Sequence, residues 1–204
     1  MHGRVILVGG GARSGKSRFA LEYAQKLGER RLFVATAQAF DAEMRERIRR
    51  HRDERGSDFA TIEEPLELAR LLGQVHDVDV VVVDCLTLWL SNLLMREDSV
   101  EHIDNQVAAV VTALKARRQH VVLVSNEVGL GIVPESAMGR IFRDIAGRTH
   151  QRLAAEADEI YFAAMGLVVR LVPEPVKAFR PGQVPQRTPL DISTLDIATE
   201  PDQR

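Results

Sequence analysis

The sequence predicts an α/β fold, a mostly parallel sheet with helices on both faces. Apolar β-branched runs such as Val80-Val-Val-Val83 and Val121-Val-Leu-Val124 read as strands buried on both sides. Stretches with apolar residues at helical spacing alternate with them along the chain. A glycine-rich loop also separates the first strand from the first helix.

Taken in order, Arg4-Val-Ile-Leu-Val8 is a short strand stopped by Gly9, Gly10 and Gly11, and Lys16 to Leu27 is a helix ended by Gly28. Leu32-Phe-Val-Ala-Thr36 is the next strand. The charged stretch from Asp41 to Arg55 is expected to be helical, with Met44, Ile48 and His51 on a thin inner face. Pro65 suits the first turn of a helix running through Leu72 and closed by Gly73, and Val78 to Val83 follows as a central strand. Ser99 is placed to cap a helix carrying Ile103, Val107, Val110, Val111 and Leu114, and the strand Val121 to Val124 follows. A further long helix is expected to turn Met138, Ile141, Phe142 and Ile145 to one side, ahead of strands at Ile160 to Ala163 and Leu167 to Val172.

From Pro173 the composition changes, with five prolines (Pro173, Pro175, Pro181, Pro185, Pro189) that fit neither helices nor central strands. The expected organisation is one domain over residues 1–172 and a proline-rich tail over 173–204, extended or partly disordered.

The chain of 204 residues, 45% apolar and 27% charged, has the balance of an ordinary globular protein. A net charge of -2 does not draw it to nucleic acid or to an anionic membrane. The lone Cys85 excludes an internal disulfide and has no companions at zinc-like spacing, so it reads as a small buried apolar residue. No apolar run approaches the roughly 20 residues of a membrane span. With no signal-like stretch at the N-terminus, a cytoplasmic location is expected.

The strongest motif is Gly10-Gly11-Ala12-Arg13-Ser14-Gly15-Lys16-Ser17, which fits G-x-x-x-x-G-K-[ST] and lies between a strand and a helix, where a phosphate cradle must be. Glycines let backbone N–H groups turn toward a β-phosphate, the helix N-terminus adds positive potential, Lys16 reaches β- and γ-oxygens, and Ser17 is a magnesium ligand. The fold is therefore expected to be P-loop NTPase-like (RecA-like). Asp84 ends a buried strand, where a second acidic residue meets the magnesium of such a site.

Two features stay open on the residues alone. His51 sits in the basic run Arg47-Ile-Arg-Arg-His-Arg52, which favours neutral imidazole and attracts a triphosphate, yet a histidine on a basic helix is also an ordinary solvent-facing residue. Asn126 and Glu127 follow a strand at its carboxyl end, where open sheets bind ligands, but a glycine-containing loop with a capping acid reads the same way. Arg140, Arg143 and Arg148 are unassigned.

Several segments in order carry a resemblance. They are the P-loop octet, Val34-Ala-Thr-Ala-Gln38, Asp41 to His51, Thr61-Ile-Glu-Glu64, Asp84-Cys-Leu-Thr87 with Asn92-Leu-Leu94, Ser125 to Glu135, and Phe142 to Arg148 with Gln151 to Ala155. Together they resemble the bifunctional adenosylcobinamide kinase / adenosylcobinamide-phosphate guanylyltransferase family of cobalamin biosynthesis, over the chain up to about residue 172. The resemblance implies phosphorylation of adenosylcobinamide by ATP or GTP, then transfer of GMP from GTP to adenosylcobinamide phosphate through a guanylylated histidine, matched here by His51. Nucleotide contacts are implied at Gly10, Gly11, Ala12, Arg13, Ser14, Gly15, Lys16, Ser17, Thr36, Ala37, Arg52, Asp53, Glu54, Arg55, Glu63 and Asp84, with magnesium on Ser17 and Asp84. Some members have glutamate at the position of Asp84; the shorter carboxylate still approaches magnesium through water. A homotrimer and a corrinoid partner are also implied, and the tail has no counterpart in the shortest members.

Overall fold

A computed structural model describes residues 2–38, 46, 49, 58–96 and 98–173. Seven strands form one sheet: β1 (Val5–Gly10), β2 (Arg31–Ala35), β3 (Ala60–Glu63), β4 (Val80–Asp84), β5 (His120–Asn126), β6 (Glu159–Ala164) and β7 (Leu167–Val172). Their spatial order is β3-β2-β4-β5-β1-β6-β7, and all neighbours run parallel except the β6–β7 hairpin. The helices are α1 (Lys16–Leu27), α2 (Leu68–Gln74), α3 (Leu86–Met95), α4 (Val100–Ala116) and α5 (Ala137–Glu156). This is the mostly parallel, P-loop NTPase-like architecture the sequence predicts.

Alternation along the strands divides the core in two. Val5, Leu7, Val34, Val81, Val83, Val121 and Leu123 face α2, α3, α4 and α5, against Leu72, Trp89, Ile103, Leu114, Ile145 and Leu153. Ile6, Val8, Phe33, Val80, Val82, Val122 and Val124 face the other way, against Ala20 and Ala24 of α1. Helices thus cover both faces. The small Ala20 and Ala24 let α1 lie close to the sheet, which fixes the direction of its N-terminus. At its far end α1 is fastened by Tyr23, whose hydroxyl donates to buried Glu159 at 2.7 Å; Arg4 pairs with the same carboxylate at 2.5 Å.

Ser99 caps α4 as expected, its hydroxyl accepting from His102 N–H at 3.1 Å. Several expectations need correction. The helix expected from Pro65 starts at Leu68, because the Glu64 carboxylate accepts from the N–H groups of Leu66 and Glu67 and holds a turn there; Gly73 lies inside that helix rather than beyond it. Val78 precedes β4 instead of belonging to it. On α5, Phe142 and Ile145 pack on the core, but Met138 and Ile141 are exposed, since α5 meets the core only beyond its first turn. Helix α3 and strand β3 are elements the sequence reading does not contain. The expected helix over 41–55 and the tail beyond Pro173 lie outside the described residues.

Candidate active site at the carboxyl edge of the sheet

Parallel strands bring the ends of β1, β2, β4 and β5 to one edge, and the P-loop spans the gap between β1 and α1. The glycines answer to geometry. Gly10 has φ 152° and lies so close to β6 that a Cβ there would stand 2.3 Å from the Ala163 carbonyl oxygen. Gly15 caps α1 at φ 95°, so that helix begins without a side-chain cap and its first N–H groups face the loop. Arg13 also takes a left-handed turn, at φ 55°. Lys16 is buried, and its Nζ donates to the Gly11 carbonyl at 3.1 Å, which holds the ammonium over the loop. Ser14 Oγ is buried with no hydrogen-bond partner among the described residues. Ser17 is half-buried in the first turn of α1.

Two strands away, half-buried Asp84 ends β4 beside Ala35 of β2 and Val124 of β5. The next residue, Cys85, is buried; burial first, and Asp84 second, push its thiol up. This agrees with the reading of Cys85 as a buried apolar residue.

A buried polar lattice ties the strand ends together. Thr36 Oγ1 donates to the Cys85 carbonyl at 2.7 Å and accepts from Cys85 N–H at 2.8 Å. Asn92, inside α3, donates to the carbonyls of Thr36 and Pro65 at 2.8 and 3.1 Å. Asn126, opposite Gly10 in the β1–β5 register, donates to Thr87 Oγ1 at 2.9 Å, and Glu127 N–H donates to the Gly10 carbonyl at 2.9 Å. Asn126 and Glu127 therefore stand beside the P-loop, as the strand-end argument expects. Buried groups satisfied in this way resist displacement, because breaking one bond strands its partner away from water.

A family model described as cobinamide kinase / cobinamide phosphate guanyltransferase matches residues 6–171. The chain belongs to that family. It is thus a transferase with two activities, a kinase on cobinamide and a guanylyltransferase on cobinamide phosphate, in cobalamin biosynthesis. The bifunctional adenosylcobalamin biosynthesis protein CobP of Pseudomonas aeruginosa is 42% identical over 171 residues, covering 83% of this chain and 98% of that protein. The corresponding CobU of Salmonella typhimurium is 40% identical over 180 residues, covering 82% and 99%. In fold alone, the Pyrococcus horikoshii protein of Project ID PH0250 superposes with a TM-score of 0.51 at 9% identity, over 86% of this chain and 90% of that one.

In this cobinamide kinase/guanyltransferase, Gly10 to Ser17, Thr36, Ala37 and Asp84 gather at the same edge, and Glu63 ends β3 at its outer end, level with Ala35. His51, Arg52, Asp53, Glu54 and Arg55 lie outside the described residues. The unassigned arginines separate: Arg140 donates to the carbonyls of Pro134 and Glu135, whereas Arg148 faces Asp104 at 3.9 Å.

Two features have no sequence signal. One is the bracing role of Asn92. The other is His150 of α5, whose Nε2 lies 2.6 Å from Ser125 Oγ, beside a cavity of about 230 Å³ lined by Leu7, Gly9, Glu127, Ala154 and Phe162. Burial lowers the His150 pKa, against a smaller opposing pull from Glu127. The folded protein therefore binds this proton less readily than the unfolded chain does. The stability this confers is fully present above the ordinary histidine pKa of about 6.5 and falls as pH drops through the folded value. Thermal midpoints measured downward from about pH 7.5 should decline once pH passes about 6.5, and His150→Gln should flatten that part of the curve. An unchanged slope in the variant would remove His150 as its source.

Proposed function

We propose that one P-loop serves both reactions: Lys16 and the α1 N-terminus hold the triphosphate, and His51 carries the guanylyl group between substrates. The observation that supports this most directly is a buried Lys16 held over the loop by the Gly11 carbonyl, with Asp84 ending β4 at the same carboxyl edge of the sheet, groups of the kind that phosphoryl and nucleotidyl transfer use.

In the kinase step, the hydroxyl of the aminopropanol arm of adenosylcobinamide attacks the γ-phosphorus of ATP or GTP. The new O–P bond replaces the bond to the nucleoside diphosphate, and the hydroxyl proton leaves to solvent or a base. In the transferase step, neutral His51 attacks the α-phosphorus of GTP; an N–P bond forms and the bond to pyrophosphate breaks. The phosphate of adenosylcobinamide phosphate then attacks the same phosphorus, forming adenosylcobinamide-GDP and releasing the imidazole. Lys16 stabilises charge on the departing phosphates in both steps, while Arg52 to Arg55, Thr36, Ala37 and Glu63 bind the nucleotide.

The oxygen donors suit magnesium. Ser17 and Asp84 would supply hard oxygen ligands, which suit magnesium held together with phosphate oxygens and water. Bound there, magnesium would neutralise phosphate charge. The active unit is a homotrimer, and the location is cytoplasmic. Among the described residues no helix is long and apolar enough to cross a membrane.

Incubation with α-labelled GTP and magnesium, followed by denaturation, should leave acid-labile, alkali-stable label on the protein, and His51→Ala should carry none while retaining kinase activity. Absence of label in a folded, GTP-binding enzyme that still makes adenosylcobinamide-GDP would refute the covalent route.

A further inference from the structure

Eleven large apolar side chains are exposed among the described residues, and five of them fall between 130 and 141: Leu130, Ile132, Val133, Met138 and Ile141. Leu130 is 81% exposed and Ile132 97%. Single exposed apolar residues are ordinary, but a cluster on one segment marks a surface made for contact.

The segment is braced. Its root is the Glu127 N–H bonded to the Gly10 carbonyl of the P-loop, at 2.9 Å, and the Glu127 carboxylate accepts from Gly129 N–H. Its far end is fixed by Ser136, which caps α5 through Gly139 N–H at 3.1 Å, and by Arg140, which donates to the carbonyls of Pro134 and Glu135 at 3.0 and 2.6 Å. A loop held at both ends presents its apolar side chains already ordered, which lowers the entropy cost of binding.

We propose that this segment is the platform for the corrin macrocycle of the cobinamide substrate. The inference rests on the catalytic reading above. For transfer, the hydroxyl or phosphate of the aminopropanol arm must reach the nucleotide phosphates over Gly10 to Lys16. The macrocycle must then lie within one short arm's length, at the carboxyl edge of the sheet. A corrin ring offers a broad methyl-bearing face and a rim of amides, so it needs an apolar surface beside the phosphate site. The 130–141 segment supplies one, and it follows closely on Glu127, whose N–H is bonded to the Gly10 carbonyl of the P-loop. A second copy of the chain is the competing occupant, and it would not require this attachment.

The test is the double variant Leu130→Ser with Ile132→Ser, with Leu130→Met and Ile132→Leu as the apolar control. Both positions are exposed, so folding should be unaffected. KM for adenosylcobinamide in the kinase reaction should rise about tenfold or more, with kcat at saturation and the Kd of a fluorescent GDP analogue within about twofold. The control should keep the original KM, and sedimentation velocity should be unaltered. An unchanged KM overturns the proposal. A raised KM accompanied by a smaller sedimenting species also overturns it, assigning the segment to contact between copies. Failure of the unaltered enzyme to turn over any corrinoid while it binds GTP would strike the catalytic reading, and this inference with it.

Discussion

Lys16→Met is expected to lower kcat/KM for both the kinase and the guanylyltransferase reactions by roughly a hundred- to a thousandfold, the loss typical of one charge-stabilising donor. Methionine retains most of the aliphatic stem that is buried in α1, so the thermal midpoint should hold and the effect will report on charge. The two reactions break different bonds of the triphosphate, yet the P-loop sequence occurs once in the chain, and its single ammonium is held at the loop by the Gly11 carbonyl. If one site serves both, the two losses should be of similar size. Loss of phosphorylation with guanylyl transfer intact would require a second nucleotide site away from Gly10 to Ser17, and the scheme with His51 and Lys16 acting on one GTP would fail.

What could be read without coordinates was whatever has a local cause. The order strand, glycine loop, helix at the N-terminus follows from β-branched residues, three glycines and helical spacing, and it lies where expected. So do Asp84 and Asn126, because a polar residue at the end of a buried parallel strand has little choice of position. Helix α3 was hidden because Leu86-Thr-Leu-Trp-Leu-Ser-Asn-Leu-Leu-Met95 is apolar nearly all round; buried between the sheet and other helices, it has no polar stripe from which a period could be read. Strand β3 was hidden for the opposite reason. It is an exposed edge of four residues, so burial leaves no pattern on it. Met138 and Ile141 do keep helical spacing, but a period gives a face and not what that face meets. Asn92 is the clearest limit: its two carbonyl partners are 56 and 27 residues away in sequence, and only the folded chain makes them neighbours.

The same helix carries the largest expected effect on stability. Trp89, the one tryptophan of the chain, is fully buried, and its indole N–H donates to the Leu66 carbonyl at 2.9 Å. Trp89→Ala should cost about 3–5 kcal/mol through lost burial and the cavity left behind. For a domain of this size that lowers the thermal midpoint by roughly 10 °C. Trp89→Phe keeps most of the volume and removes the N–H donor, so its cost should be nearer 1–3 kcal/mol. Circular dichroism melts of both variants and of the unaltered protein measure the difference; equal costs in the two variants would mean that the lost ring volume contributes nothing beyond the hydrogen bond, and no cost in Trp89→Phe would mean that the hydrogen bond contributes nothing. The damage should also reach the nucleotide. Leu66 adjoins Pro65, Asn92 of α3 bonds both Pro65 and Thr36, and Thr36 grips Cys85 next to Asp84. A helix loosened at Trp89 therefore loosens the frame that holds Asp84 in register, and KM for GTP should rise in Trp89→Ala even at temperatures where the variant is fully folded. A variant that lost stability without changing KM would show that α3 supports the fold but does not set the geometry of the site.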